Sequence, residues 1–291
     1  MNTILIGSEY PNRSIKEKSY FIDNNIITEI PRNNLEYIIC ANKSLMNKID
    51  PSSNPRMSQN YATSEAGYRF IRLEYPQYSC SPGDTYKGDK PYSSGLAGQP
   101  RPTGGMNFPV KLGSCIAAKC KYYVKFPTGF DFRRGGKLPG LSSYNITASG
   151  GNQSTAGDTS FTARLMWQQG GNITPYAYTA ENLTRWGTTY GTGFGKSLPI
   201  TTDVWYKIEE TISLNNIGKS DGSCLITVND IVLCDIKDIV WRTNSNLKIE
   251  GVFMSSFFGG HTGVDGSDDT YETMVTTTID FSDVEYYIIT K

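Results

Sequence analysis

The chain has 291 residues, and its 28 lysines and arginines balance 28 aspartates and glutamates, so the formal net charge is zero. This length can bury a large core, and the neutral balance excludes a protein whose whole surface attracts polyanions. Six cysteines are too few for a disulfide framework, and one histidine excludes a Cys/His zinc site and an ordinary Ser-His or Cys-His catalytic pair.

The first 60 residues differ from the rest of the chain. They contain two apolar patches, residues 26–30 and 37–40, followed by a turn-rich stretch at 50–55. We therefore predict a boundary near residue 60. Residues 1–60 would be an N-terminal accessory segment or extra edge strands, and residues 61–291 would form the main domain.

Short β-rich runs recur through the main domain, and no long stretch has the spacing of an amphipathic helix. Glycine, asparagine and aspartate separate the runs, which favours an all-β sandwich of two antiparallel sheets. Asn229-Asp230 is suited to the tip of a two-residue hairpin. The predicted strands are 120–126, 161–168, 204–214, 224–228, 231–236, 247–258 and 275–289.

One run places a lysine between two kinds of backbone punctuation. Residues 130–141 read Phe-Asp-Phe-Arg-Arg-Gly-Gly-Lys-Leu-Pro-Gly-Leu. Gly135 and Gly136 allow the backbone to bend, and Pro139 restricts it, so we predict a turn that aims Lys137 at a ligand. The alternative is a basic surface turn that closes a strand.

Residues 160–179 predict a hairpin of two alternating strands. If Gly170-Gly171-Asn172 is a three-residue turn, Arg164 lies opposite Tyr178 and Met166 opposite Tyr176, all on one face. A two-residue turn would separate the arginine from the tyrosines. The alternative is an ordinary exposed strand face, where such residues are common.

Together, the lysine run, Thr-Ala-Arg-Leu-Met-Trp at 162–167 and Tyr-Ala-Tyr at 176–178 resemble the alginate and polyglucuronate lyases of polysaccharide lyase family 14. They also resemble the related glucuronan lyases. The resemblance covers about residues 60–291 and implies a β-jelly roll whose concave sheet forms a substrate cleft. Further matching segments are 72–76, 118–126, 228–233, 241–242 and 255–260.

The resemblance implies β-elimination on a uronate polymer. It assigns catalysis or substrate contact to Lys137, Thr162, Arg164, Tyr176 and Tyr178, although the family commonly has serine at position 162. Lysine and arginine would neutralise the carboxylate at C5, and a tyrosine with its pKa lowered by the two cations would act as base. Whether Lys137 is the base or the neutralising charge stays open. Further substrate-binding candidates are Arg133, Arg134, Gln168 and His261.

Basic residues cluster around the lysine run, which predicts a basic cleft for an acidic sugar chain. Nucleic acid is the weaker alternative, because no nucleic-acid motif occurs. The basic cluster comprises Lys111, Lys119, Lys121, Lys125, Arg133, Arg134 and Lys137.

No cofactor or metal is expected. The glycine-rich loop at 187–196 matches no phosphate-binding motif, and 265–269 lacks the pattern of an EF-hand. Around a two-residue turn, Cys224 and Cys234 would point to opposite sides, which argues against a bridge between them. Cys115 and Cys120 either pair or remain free thiols.

The sequence thus predicts a lyase that cleaves polyglucuronate or alginate. The alternative is a non-catalytic jelly roll that binds acidic glycans, such as a viral surface or adhesion protein. The N-terminus has neither the basic region nor the long apolar run of a signal peptide, and no segment approaches the length of a membrane span. Relatives in the family that the chain resembles are often secreted, so secretion is one expected route to substrate, and packaging in a virus particle is the route that needs no signal peptide.

Overall fold

The computed structural model describes residues 19–23, 26–30, 60–65, 68–80, 104–181, 185–189, 198–259 and 271–289. These residues contain seventeen β-strands and no helix. The strands are β1 (Ser19–Asp23), β2 (Ile26–Ile30), β3 (Asn60–Glu65), β4 (Tyr68–Tyr75), β5 (Met106–Cys115), β6 (Ala117–Lys125), β7 (Gly135–Leu138), β8 (Gly140–Ser142), β9 (Thr162–Gln168), β10 (Asn172–Tyr178), β11 (Thr188–Thr189), β12 (Leu198–Pro199), β13 (Trp205–Ser213), β14 (Gly222–Val228), β15 (Ile231–Ile239), β16 (Ile249–Phe258) and β17 (Thr277–Ile288).

Two antiparallel sheets form the main body. The eight-stranded sheet has the order β11-β10-β9-β7-β16-β5, with β12 beside β10 and β8 between β9 and β16. The seven-stranded sheet has the order β15-β14-β13-β6-β17-β4-β3. This arrangement confirms the predicted all-β jelly roll. Among the described residues, no helix has the length and apolarity needed to span a membrane.

The N-terminal boundary is still a prediction. Strands β1 and β2 pair with each other as a separate two-stranded hairpin, whereas β3 belongs to the seven-stranded sheet. The first apolar patch is therefore a strand, and the second, at 37–40, lies outside the described residues.

The core lies between the two sheets and follows from the alternation of each strand. Ala163, Leu165 and Trp167 of β9 join the same apolar cluster as Tyr122 and Val124 of β6. Because side chains of a strand alternate between faces, the intervening residues of β9 point away from the core. We call this outer face of the eight-stranded sheet the site face.

The predicted lysine turn is wrong, because residues 135–138 form β7 in the middle of the eight-stranded sheet. The glycines there serve close packing rather than a bend. A Cβ on Gly136 would lie 2.0 Å from the Trp167 ring, and one on Gly140 would lie 1.9 Å from the Ala163 carbonyl oxygen. Lys137 is thus held on a paired strand.

The hairpin at Asn229-Asp230 is confirmed, since Val228 pairs with Ile231 and both turn residues have positive φ. The predicted orientation of the cysteines beyond it is wrong. A bulge after Val232 moves Cys234 opposite Ile226, so Cys234 and Cys224 are both buried in the core. Both are nevertheless free thiols, as are Cys115 and Cys120.

The predicted basic cluster is divided between the sheets. Lys119, Lys121 and Lys125 alternate with core residues of β6, so they project from the far side of the seven-stranded sheet. There they form ion pairs with Glu209, Glu285 and Asp203 respectively. These lysines therefore do not contribute to a basic cleft on the other sheet.

A buried carboxyl group joins the two sheets. Glu210 of β13 is fully buried, and its Oε2 accepts a hydrogen bond from the Leu141 amide of β8 at 2.6 Å. Its Oε1 has no hydrogen-bond partner among the described residues. Burial raises the pKa of Glu210 to about 8, so the folded protein keeps this carboxyl protonated at neutral pH.

The pH dependence of stability should reveal this proton. An acid whose pKa is raised on folding stabilises the protein below its unfolded pKa, and that contribution falls as pH rises towards the folded value. Glu210→Gln cannot ionise, so relative to wild type it should gain up to about 1.4 kcal/mol of unfolding free energy per pH unit between pH 5 and 8. Denaturant unfolding at several pH values measures this difference.

Glu209 is the matched control, because it lies next along the same strand but faces outward. Burial raises its pKa, yet hydrogen bonds from Lys119 and Lys207 outweigh burial and lower it overall. Glu209→Gln should therefore lose stability relative to wild type as pH rises from the acid range, the opposite sign. A Glu210→Gln profile parallel to wild type would refute the raised pKa.

Candidate active site

The site face brings the predicted residues together through the pairing of β7, β9 and β10. Lys137 pairs with Met166, Arg164 with Tyr176, and Thr162 with Tyr178. Paired residues of antiparallel strands point the same way, so the predicted shared face is confirmed.

The predicted register of this hairpin is wrong, because the loop lies one residue earlier in the chain than predicted and each pairing shifts by two residues. The loop consists of residues 169–171, because Gln168 pairs with Asn172, and both Gly170 and Gly171 adopt positive φ. Arg164 therefore lies opposite Tyr176 rather than Tyr178. The loop still has three residues, as predicted, which is why every side chain remains on its expected face.

Lys137 is buried among uncharged and cationic groups, with 7% of the residue exposed. Its Nζ donates a hydrogen bond to Met166 Sδ at 2.8 Å and lies 3.8 Å from the ring centroid of Tyr176. Burial, and secondarily the charge of Arg164, lowers the pKa of Lys137 well below its usual range. The amine is thereby suited to accept a proton.

Residues of other strands in the same sheet orient the Arg164 side chain through a hydrogen bond and ring contacts. Its Nη1 donates to Ser255 Oγ at 3.1 Å, and that hydroxyl donates to Asn107 Oδ1, also at 3.1 Å. The guanidinium Cζ lies 4.9 Å from the Phe253 ring and 5.5 Å from the Tyr176 ring. Arg164 Nε is buried and has no hydrogen-bond partner among the described residues.

Sequence reasoning missed the roles of Ser255 and Asn107. A pair of serines inside an otherwise apolar strand was the available signal for Ser255, because a buried hydroxyl requires a partner. No local signal marks Asn107, which reaches the site only through the pairing of β5 with β16.

Tyr176 and Tyr178 place two hydroxyls beside the cations, 3.3 Å from each other. The Gly187 amide donates to the Tyr176 hydroxyl at 3.1 Å, and the Gly151 amide donates to that of Tyr178 at 3.0 Å. The expected lowering of a tyrosine pKa is wrong for Tyr176, because its burial outweighs the nearby Arg164 and raises the pKa. Its hydroxyl therefore keeps its proton at neutral pH.

Thr162 is fully buried and donates from Oγ1 to the Ala148 carbonyl at 2.9 Å. The hydroxyl thus anchors the segment that supplies the Gly151 amide. Gln168 is half-buried, and its Nε2 donates to Thr174 Oγ1 at 3.0 Å at the end of the same face.

The other predicted substrate-binding residues are Arg133, Arg134 and His261. Arg133 Nε donates to the Glu272 carbonyl at 3.0 Å, and the Arg134 guanidinium lies 5.1 Å from the Tyr271 ring. His261 lies outside the described residues, as do 265–269 and most of the loop at 187–196. A substrate role for these residues is still a prediction.

The electrostatic character of the site is that of an anion receptor. Within the described ranges, neither Lys137 nor Arg164 forms an ion pair with a carboxylate, although both are buried. Burying the Arg164 guanidinium without a counter-charge is costly, so the arrangement favours an anionic ligand. The same part of the chain contains no cluster of three or more His, Cys, Asp or Glu suited to a metal ion.

Comparisons with solved structures show the same fold. A double mutant of alginate lyase Aly36B in complex with an alginate tetrasaccharide has a TM-score of 0.64 and 20% identity, covering 84% of this chain and 90% of that one. Alginate lyase vAL-1 from Chlorella virus has 0.63 and 22%, covering 79% and 89%. The PL-14 alginate lyase from Aplysia kurodai has 0.58 and 21%, covering 81% and 88%.

Comparison with curated protein sequences finds no relative of this chain. The family model described as polysaccharide lyase 14, however, matches residues 65–284, which include every strand of the two sheets except most of β3 and the end of β17. The enzyme interpretation is therefore confirmed over the non-catalytic one, and the chain belongs to the polysaccharide lyase 14 family.

Proposed function

We propose that this enzyme cleaves a uronate polymer by β-elimination on the site face. The observation that carries the proposal is the burial of Lys137 and Arg164 together, without an acidic partner among the described residues, beside two phenol hydroxyls. A uronate supplies the missing negative charge through its carboxylate. Its C5 proton and O4 leaving group supply the two positions where an enzyme must take and give a proton.

Arg164 is the residue that binds the carboxylate. Its Nε is a buried donor without a partner among the described residues, and its Nη1 is already oriented by Ser255. A guanidinium can bind a carboxylate through two parallel hydrogen bonds. Charge withdrawn from the carboxylate lowers the energy of the enolate-like state that forms when C5 loses its proton.

Lys137 is the base, and the tyrosine pair is the acid. The lowered pKa of Lys137 increases the fraction of neutral amine, which takes the C5 proton. The C5–H electron pair becomes the C4–C5 double bond while the C4–O4 bond breaks. A hydroxyl of the Tyr176–Tyr178 pair protonates O4, and both groups then exchange protons with solvent.

Alginate is the first substrate to test, since structural neighbours of this chain are alginate lyases, one of them bound to an alginate tetrasaccharide. Polyglucuronate is the second, because it has the same C5 carboxylate and O4 linkage. Association with a virus particle or secretion remains a prediction.

The test is the ultraviolet absorbance of the conjugated double bond that elimination leaves. Wild-type protein should generate it from at least one of polymannuronate, polyguluronate and polyglucuronate. The same polymer with its carboxyl groups reduced to alcohols should not be cleaved, because Arg164 then has no anion to bind. Cleavage of the reduced polymer at the normal rate, or of none of the three acidic polymers, would overturn the proposal.

A further inference from the structure

An exposed tryptophan packs against the segment that contacts the two site tyrosines. Trp186 is 40% exposed. A Cβ added to Gly151 would lie 2.7 Å from Trp186 Cζ3, so the indole packs directly against the Gly151 backbone. The Arg185 guanidinium lies 5.0 Å from the Trp186 ring, and Arg185 Nε donates to the Gly151 carbonyl at 3.3 Å.

Two glycines, Gly151 and Gly187, connect this tryptophan to the proposed proton donors Tyr176 and Tyr178. Gly151 donates its amide to the Tyr178 hydroxyl, and Gly187 donates its amide to that of Tyr176. A Cβ on Gly187 would lie 2.7 Å from the Tyr178 ring and 2.8 Å from the Tyr176 ring. Trp186 is therefore the chain neighbour of Gly187, whose amide binds the hydroxyl of Tyr176, one of the two proposed proton donors to O4.

The exposed surface has the chemistry of a site for an acidic sugar. The apolar C–H face of a pyranose can lie on an indole, and a buried aromatic contact of this kind is a common source of binding energy. Arg185 is exposed and has five N–H donors, of which one is used by Gly151. Its guanidinium can therefore receive a carboxylate beside the ring.

From these contacts we propose that Trp186 and Arg185 form an additional sugar-binding subsite, which holds a uronate unit of the polymer next to the cleaved bond. The proposal rests on the uronate substrate proposed above. The polymer crosses from the Lys137–Arg164 centre over the tyrosine pair to the indole. The subsite takes no part in proton transfer and acts by holding long chains.

The experiment measures binding without turnover. In a Lys137→Ala parent, titration calorimetry gives the affinity for polymannuronate, polyguluronate and polyglucuronate, each as a long chain and as a disaccharide. Adding Trp186→Ala should weaken binding of the long chain about tenfold and leave the disaccharide nearly unchanged. Trp186→Phe should retain most of the affinity. Arg185→Gln should weaken binding and reduce its dependence on salt.

Leu225→Ala is the control, because Leu225 is equally exposed, at 39%, but lies on the seven-stranded sheet. It should bind like the parent. Unchanged long-chain affinity in Trp186→Ala would overturn the subsite, while normal lyase activity in wild type would keep the proposed reaction. Weakened binding without any lyase activity in wild type would keep the subsite and overturn the reaction. A parent that binds none of the polymers would overturn the subsite, and it would overturn the reaction as well if wild type cleaves none of them.

Discussion

Lys137→Ala should lower the turnover of a uronate polymer by at least about a hundredfold, because it removes the proposed proton acceptor. The wild-type rate should rise with pH as the amine deprotonates, at a pH below that of an ordinary lysine, since burial and Arg164 lower its pKa. Steady-state turnover across pH, followed by ultraviolet absorbance, measures both effects.

Two variants separate chemistry from packing. Lys137→Met retains the buried aliphatic stem beside Met166 and Tyr176, so it should fold like wild type and be as inactive as Lys137→Ala. Lys119→Ala removes a strand lysine from the far side of the other sheet and should have normal turnover.

Added amines distinguish a base from a simple charge at this position. Methylamine should partly restore the activity of Lys137→Ala in proportion to its neutral form, whereas guanidinium, which stays charged, should not. Equal rescue by both would assign Lys137 to charge neutralisation. Normal turnover in Lys137→Ala would remove the residue from the mechanism.

Arg164→Ala should reduce kcat/KM by about a hundredfold or more, through loss of the interaction with the substrate carboxylate that strengthens as C5 loses its proton. Arg164→Lys should recover only a small part, because an ammonium cannot replace a bidentate guanidinium bound to Ser255. Separate measurement of kcat and KM checks that the loss falls mainly on kcat.

Ser255→Ala tests how far orientation of the arginine matters. It removes the hydroxyl that accepts a hydrogen bond from Arg164 Nη1 and donates one to Asn107 Oδ1, but it leaves the charge of Arg164 in place. A loss of activity smaller than that of Arg164→Ala is expected, with the thermal midpoint checked for each variant. Arg164→Ala turning over at the wild-type rate would contradict the assigned role.

The resemblance and the local patterns predicted the fold. They also predicted which residues lie together on the site face, namely Lys137, Thr162, Arg164, Tyr176 and Tyr178. Alternation in β9 and β10, together with the predicted three-residue loop, placed Arg164, Tyr176 and Tyr178 on one face, because side-chain direction follows residue parity along a strand and loop length sets the parity between two strands. The same reasoning failed for the exact partner of Arg164, since register depends on which loop residues adopt positive φ. It also failed for Cys234, because a bulge changes parity.

Taken by itself, the sequence determined several of the long strands, the shared face of Arg164, Tyr176 and Tyr178, and the residue types able to bind a uronate, all of which depend on near neighbours in the chain. Only the tertiary structure decided that Lys137 lies on a central strand, that Ser255 and Asn107 orient Arg164, and that Trp186 stands beside the tyrosines. Burial by distant segments also decided the opposite pKa shifts of Lys137 and Tyr176. Desolvation depends on all surrounding atoms, so no local pattern encodes it.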